Sequence, residues 1–389
     1  MQVPFSRDGL PYWRLSGFYA CYFAFIGCFS PYWGLYLKDH GFDGVAIGQL
    51  MSIYMATRIV GPNVWGWLAD NTGKRLRIIR IGAFLGTLSV ITVWLANSWL
   101  TMALAMTAFT FFLNAVLPQF EVITLQYLDL QRPYYSRIRI WGSLGFVLAV
   151  VGLGVLFEKF PVSLLPLFLM AALAGSWGCA CSISEPQGAV NNQQRPSFLQ
   201  RFLVPQVILF YVVFLLSQVA MGPYYTFYSL YMQAHGYSSM AIGGFWALGV
   251  LAEVVLFFYM YRFLRLGVLR LLKLALLISI ARWLLTAWAP ESLPLAMISQ
   301  LCHAATFGVL HVCGINLVQQ YFSGGNEGQG QALFSAVAYG AGGSLGALVS
   351  GYIWVELGMS QTFIFAAIVT GLALLLAWWG LKEQTAASA

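Results

Sequence analysis

The chain has 389 residues, of which 60% are hydrophobic and only 8% are charged. A water-soluble domain carries about 25% charged residues, so this chain has too few charges to cover a surface that faces water. Composition therefore excludes a soluble enzyme and predicts an all-α membrane protein. The formal net charge of the chain is +7.

Twelve apolar segments follow one another along the chain, and each has the roughly 20 residues that a bilayer-spanning helix requires. They lie near residues 15–37, 45–69, 77–96, 99–127, 138–157, 162–183, 203–233, 240–264, 268–289, 293–320, 329–355 and 360–381. The longest polar connector, Ser184 to Arg201, divides six segments from six. We therefore predict an N-terminal six-helix half over residues 1–183, a cytoplasmic linker over 184–202 and a C-terminal six-helix half over 203–389.

The two halves repeat each other. A shift of 195 residues aligns 35–48 with 230–243, and seven of these fourteen positions are identical. Because the repeated unit has six helices, both copies have the same membrane orientation, which is typical of parallel repeats. In such proteins the substrate site lies near the bilayer midplane, between the halves.

Lysine and arginine are concentrated on one side of the predicted membrane. If the N-terminus is cytoplasmic, 16 of the 20 lie on the cytoplasmic side, whereas only Lys38 and Lys159 lie outside. The positive charge is therefore an orientation signature and not a nucleic-acid patch. We expect a multi-pass protein of the cytoplasmic (inner) membrane of a bacterium, with both termini in the cytoplasm.

The loop between segments two and three reads Gly66-Trp67-Leu68-Ala69-Asp70-Asn71-Thr72-Gly73-Lys74-Arg75. It resembles the loop signature of the major facilitator superfamily, in which a glycine, an aspartate, a second glycine and paired bases follow in this order. The resemblance implies twelve transmembrane helices in two parallel six-helix repeats. Asp70 is expected to accept from a neighbouring helix N-terminus, as a conformational latch that opens when the halves rock. The alternative is an ordinary basic loop.

Four charged side chains lie inside the predicted spans, and their charges sum to zero: Arg58, Glu121, Glu253 and Arg282. Ionisable groups are expensive in lipid, so they are functional candidates by default. Opposite charges suit ion pairs that exchange partners during transport, although static pairs that hold helices together remain an alternative. His303 adds a group that titrates near neutral pH.

One set of residues resembles lactose permease. Glu121 precedes Arg139 by eighteen residues, and Phe146 follows Arg139 by seven. These positions match the sugar-binding Glu–Arg pair of lactose permease on helices four and five and its stacking aromatic residue. The resemblance implies that Arg139 points into the cavity, although the charge count places it on the cytoplasmic side.

A second set, Glu253, Arg282 and His303, resembles the proton-coupling residues of the same permease. A glutamate beside an arginine stays ionised and takes up a proton when that partner leaves. Two departures put sugar binding in doubt, because Thr306 and Leu256 stand where lactose permease has a proton-binding glutamate and a sugar-binding asparagine.

The better match is the phenylpropionate permease family, which comprises relatives of lactose permease. The matching stretches are Ala46–Gly48, Arg58, Arg139–Ser143, Trp246–Val254, Arg282-Trp283 and His303–Phe307 with His311. The resemblance implies a proton symporter that imports a small aromatic carboxylate, such as 3-phenylpropionate, by alternating access.

The ligand is expected between the halves, with an arginine on its carboxylate and aromatic side chains on its ring. A guanidinium group pairs with a carboxylate through two parallel hydrogen bonds, which makes Arg139 the first candidate and Arg58 the second. Phe146, Tyr32 and Tyr228 are the expected ring contacts.

Other functions remain open. A sugar or nucleoside proton symporter of the same fold is the main alternative, and a non-transporting sensor is a further one. The chain has no phosphate-binding loop and no credible Ser/His/Asp set, so we expect neither an ATPase nor an enzyme, and no cofactor or metal. The expected partners are the substrate, protons and the lipid bilayer, and the expected state is a monomer.

Overall fold

The computed structural model describes residues 9–186, 201–322 and 326–382, and all regular elements within these ranges are helical. The long helices are α1 (Tyr12–Asp39), α2 (Gly44–Thr72), α3 (Arg75–Leu95), α4 (Trp99–Leu128), α5 (Tyr135–Leu156), α6 (Val162–Cys181), α7 (Pro205–Ala234), α8 (Ser239–Leu266), α9 (Val268–Trp288), α10 (Leu293–Tyr321), α11 (Glu327–Glu356) and α12 (Met359–Gly380). The all-α membrane fold predicted from composition is confirmed.

Nine of the described helices are long and apolar enough to cross a membrane by length and composition, namely α3 to α8 and α10 to α12. The helices α1, α2 and α9 fall outside that measure; α9, for example, carries Arg270, Lys273 and Arg282. The predicted count of twelve spans therefore stays a prediction.

The chain separates into two compact units. The first comprises residues 1–191 with 237–247, and the second comprises 192–236 with 248–389. The start of α8 thus belongs to the first unit, although it follows the midpoint of the sequence. Residues 187–200 of the predicted linker lie outside the described residues, and the division at 184–202 stays a prediction.

Local sequence determines where several helices begin and end. The side chain of Asp43 accepts a hydrogen bond from the backbone N–H of Ala46 at 2.8 Å, which caps the start of α2. The same helix ends at Gly73, whose φ of 65° is left-handed and suits glycine. Ser98 and Thr101 form a capping box that starts α4.

Glycines allow two helix pairs to approach closely, one in each unit. A Cβ atom at Gly145 of α5 would overlap the backbone of Ala20 in α1, and one at Gly222 of α7 would overlap the backbone of Gly346 in α11. Small residues at such crossings let helix backbones touch in a membrane. Both units therefore join their first and fifth helices by the same device.

Candidate functional site

The first unit contains a polar cluster formed by Arg58 of α2, Glu121 of α4 and Arg139 of α5, called the first cluster below. Tyr22 of α1 is only 6% exposed and lies within electrostatic range of all three side chains. Four helices thus bring these residues together.

Tyrosine hydroxyls contact two members of the first cluster. The hydroxyl of Tyr135 donates to Oε1 of Glu121 at 3.2 Å. Nη2 of Arg58 donates to the hydroxyl of Tyr54 at 2.5 Å, and the guanidinium also lies 4.9 Å from the centre of that ring. Arg58 therefore already has a strong local partner one helical turn away.

Arg139 lies beside the other members of the first cluster. Its guanidinium carbon is 3.8 Å from the ring centre of Phe23, and its charge interacts with Glu121. Cation–π contact of this kind stabilises a guanidinium away from water. With Arg139 included, the first cluster has two guanidinium groups and one carboxylate.

The two predicted ring contacts of the first unit lie between α1 and α5. Phe146 is 7% exposed, and its backbone lies against Gly27. Tyr32 is fully buried, and its hydroxyl donates to the backbone carbonyl of Val150 at 2.7 Å. Both aromatic residues therefore take part in the packing of this helix pair.

The second unit contains the second cluster, formed by Glu253 of α8, Arg282 of α9 and His303 of α10. Nε2 of His303 lies 3.9 Å from the carboxylate of Glu253. Tyr224 of α7 lies beside both bases, because its ring centre is 4.3 Å from the guanidinium carbon of Arg282 and 5.4 Å from the ring of His303.

Arg282 is fully buried, with an exposed fraction of 0%. Its Nη1 donates to the hydroxyl of Thr306 at 2.5 Å, and its guanidinium carbon lies 4.6 Å from the ring centre of Trp283. Within the described part of the chain, the nitrogens Nε and Nη2 of Arg282 have no hydrogen-bond partner. The carboxylate of Glu253 lies next to His303.

Sequence reasoning missed Gln300, which lies in the same cluster. The hydroxyl of Tyr224 donates to Oε1 of Gln300 at 3.0 Å, and Gln300 is fully buried. The available signal was a neutral amide in an apolar segment, one turn before His303. Tyr228, the ring contact predicted in this unit, is 1% exposed and lies 5.0 Å from the ring of Tyr224.

A π-helical turn over Ala304–Val309 begins directly after His303. The rings of His303, Phe307 and His311 stack in one column, with centre distances of 5.7 and 6.0 Å and nearly parallel planes. Nδ1 of His311 forms a hydrogen bond of 2.7 Å with the hydroxyl of Tyr339 in α11. Such turns occur frequently at functional sites, and this one adjoins the second cluster.

The predicted latch residues lie at the junction of α2 and α3: Gly66, Asp70, Gly73, Lys74 and Arg75. Asp70 forms an ion pair with Arg75, which is the first residue of α3. Arg75 also donates to the side-chain oxygen of Gln119 in α4. Asp70 thus contacts the start of α3 through the side chain of Arg75, and the same arginine links α3 to α4.

The chain matches the MFS_1 like family over residues 12–365. It is 27% identical over 362 residues to the "Probable 3-phenylpropionic acid transporter" of Escherichia coli (strain K12), covering 92% of this chain and 94% of that protein. It is 26% identical over 364 residues to the maltose permease of Geobacillus stearothermophilus, covering 91% and 90% respectively.

Among solved structures, a mutant of the nucleoside transporter NupG superposes with a TM-score of 0.83. Its sequence identity is 18%, and the match covers 94% of this chain and 98% of that chain. At this identity the likeness shows a shared fold and says nothing about the solute.

Proposed function

The chain belongs to the MFS_1 like family, and on that premise we propose that this secondary transporter is a proton symporter that imports a small aromatic carboxylate by alternating access. Its relatives and structural neighbours are multi-pass membrane transporters, so it is not an enzyme. This placement is consistent with a bacterial inner membrane. The 16-to-2 distribution of lysine and arginine supports cytoplasmic termini.

The balance of charge within the two clusters carries the proposal. The first cluster contains two guanidinium groups, those of Arg58 and Arg139, and one carboxylate, that of Glu121. The second contains Arg282 and Glu253, and its positive charge is uncompensated when Glu253 holds the transported proton. Uncompensated charge is expensive inside a membrane. An anionic solute supplies the missing negative charge, whereas a neutral sugar or nucleoside does not.

Aromatic rings beside the guanidinium groups support a ring-bearing acid, as does the similarity to the probable 3-phenylpropionic acid transporter. Each unit offers a guanidinium for the carboxylate: Arg139, with Arg58 as second choice, in the first and Arg282 in the second. Glu121 would then exchange its arginine for the substrate. The proposed ring contacts are Phe146, Tyr32 and Tyr228.

We place proton coupling in the second cluster. Glu253 lies 3.9 Å from His303, and the positive charge of Arg282 is nearby. In the proposed cycle the carboxylate of Glu253 takes up a proton from outside and releases it inside. The Asp70–Arg75 ion pair would open and close as the latch of the same cycle.

Transport by purified protein in liposomes tests the proposal. With an acidic exterior, labelled 3-phenylpropionate should accumulate above its equilibrium distribution, and a protonophore should abolish the accumulation. Matched liposomes without a pH gradient serve as the control. Accumulation that persists with the protonophore would contradict proton coupling.

A sugar or nucleoside symporter is the second candidate, and the similarity to a maltose permease favours it. Leu256 argues against it, because a sugar needs many hydrogen-bonding partners and leucine offers none. The same liposomes decide between the two. Proton-driven uptake of maltose or a nucleoside, without uptake of the acid, would overturn the substrate class and leave the transporter intact.

A further inference from the structure

The second cluster holds buried nitrogens that lack a hydrogen-bond partner. Within the described residues these are Nε and Nη2 of Arg282, Nε2 of Gln300 and Nδ1 of His303. The exposed fractions of the three side chains are 0%, 0% and 4%. Buried polar atoms are normally satisfied, and the nitrogens of Arg282 and Gln300 are donors, so these three exceptions indicate that an acceptor group belongs among them.

Tyr224 holds this group of nitrogens together. Its ring covers the guanidinium of Arg282 at 4.3 Å, and its hydroxyl donates to Oε1 of Gln300 at 3.0 Å. Because that bond occupies the oxygen of the amide, the Nε2 end of Gln300 remains available as a donor. The ring of His303 completes the group at 5.4 Å from Tyr224.

The open edge of Arg282 is the one that suits a carboxylate. Thr306 takes Nη1, so Nε and Nη2 remain, and these two point the same way from the planar guanidinium. Two parallel N–H groups in this arrangement bind both oxygens of one carboxylate. A neutral alcohol or amide fills the same edge less well, because it carries no negative charge.

The arginines of the first unit have different partners. Arg139 lies 3.8 Å over the ring of Phe23 and interacts with the charge of Glu121. Arg58 donates to the hydroxyl of Tyr54.

We infer that Arg282, with Gln300, binds the carboxylate of the transported aromatic acid between the rings of Tyr224 and Trp283, beside His303. The inference rests on the proposed function, because it names the group that receives the substrate's charge. It replaces Arg139 with Arg282 as the first candidate and gives the guanidinium of the second cluster a role in binding as well as in coupling. An inorganic anion such as chloride shares this chemistry, and the test separates the two.

The test measures binding of 3-phenylpropionate and of its neutral analogue 3-phenylpropanol to the purified full chain by calorimetry. Arg282→Met removes the charge with little change in volume, and Arg139→Met tests the competing candidate. Arg270→Met, at an exposed arginine of the same helix, is the matched control. Gln300→Leu keeps every charge and removes one donor, which provides a milder variant. A thermal unfolding curve for each variant establishes that it is folded.

Wild type should prefer the acid to the alcohol by at least tenfold. Arg282→Met should abolish this preference, Gln300→Leu should reduce it severalfold, and Arg270→Met should retain it. Preference retained in both Arg282→Met and Gln300→Leu, or lost only in Arg139→Met, would overturn the inference and leave the proposed function standing. Chloride binding that depends on Arg282, with unchanged acid affinity, would overturn it too. A wild type that binds no aromatic acid would overturn the proposed function itself.

Discussion

Replacing Gly145 with alanine tests how closely α1 and α5 approach. A Cβ atom at this position would overlap the carbonyl group and Cα of Ala20, and backbone atoms in a helix cannot rotate away. Gly152 lies two turns further along α5 and has nothing within 4 Å of an added Cβ. Gly152→Ala is therefore a matched control on the same helix.

Two effects set the stability of each variant. Both substitutions replace glycine with alanine, which favours the helix by about 1 kcal/mol in each case, so this effect cancels when the two variants are compared. Overpacking costs about 1–3 kcal/mol, and the upper end applies because the atoms that Gly145→Ala meets are backbone. We expect Gly145→Ala to be about 3 kcal/mol less stable than Gly152→Ala.

Unfolding of the purified protein by sodium dodecyl sulfate in mixed micelles measures this difference in the free energy of unfolding. Gly152→Ala should match or slightly exceed wild type. Equal stability of the two alanine variants would refute the close contact between the helices. An uptake assay on the same preparations establishes whether the loosened pair still supports transport.

Three further predictions concern coupling, orientation and pH. Glu253→Gln should abolish acid-driven accumulation and leave substrate exchange across the membrane; unchanged uphill uptake would contradict the coupling role. Reporter fusions after Lys159 and after Arg195 should report opposite sides of the membrane, and a shared side would disprove the six-plus-six topology. The backbone N–H of Met240 donates to Glu158 at 2.8 Å and lowers the pKa of that carboxyl from its ordinary value of 4.5. The stabilisation by the Glu158 carboxylate is therefore complete above pH 4.5 and is lost as the pH falls through the lower native pKa. The difference in thermal midpoint between wild type and Glu158→Gln should vanish on acidification. A difference that stays constant with pH would contradict this prediction.

The helical fold and the charged members of both clusters could be predicted from the sequence. A charge in an apolar segment is conspicuous, and this identified Arg58, Glu121, Glu253 and Arg282. Family resemblance added Arg139, which the count of charges alone did not single out, because a residue near a helix end can face either water or its neighbours.

The neutral members of the second cluster could not be identified in the same way. Gln300 carries no charge, and Tyr224 is one of 20 tyrosines in the chain. Their role depends on contacts of α7 with α9 and α10, which lie much further along the chain. Nor does periodicity reveal which edge of Arg282 is open, because that depends on the hydrogen bond to Thr306.

The π-helical turn in α10 changes which residues of that helix share a face. In regular α-helix, eight residues separate two side chains by about 80° around the axis, so His303 and His311 would lie on different faces. The π-helical turn at Ala304–Val309 has more residues per turn, and this reduces the rotation between the two histidines. Both imidazoles are therefore aligned with Phe307. Tightening this turn to α geometry would move His311 out of phase with His303 and away from Tyr339. The π-helical turn thus rotates the second half of α10 relative to its first half. This rotation lets His303 keep its contact with Glu253 of α8 while His311 keeps its hydrogen bond with Tyr339 of α11.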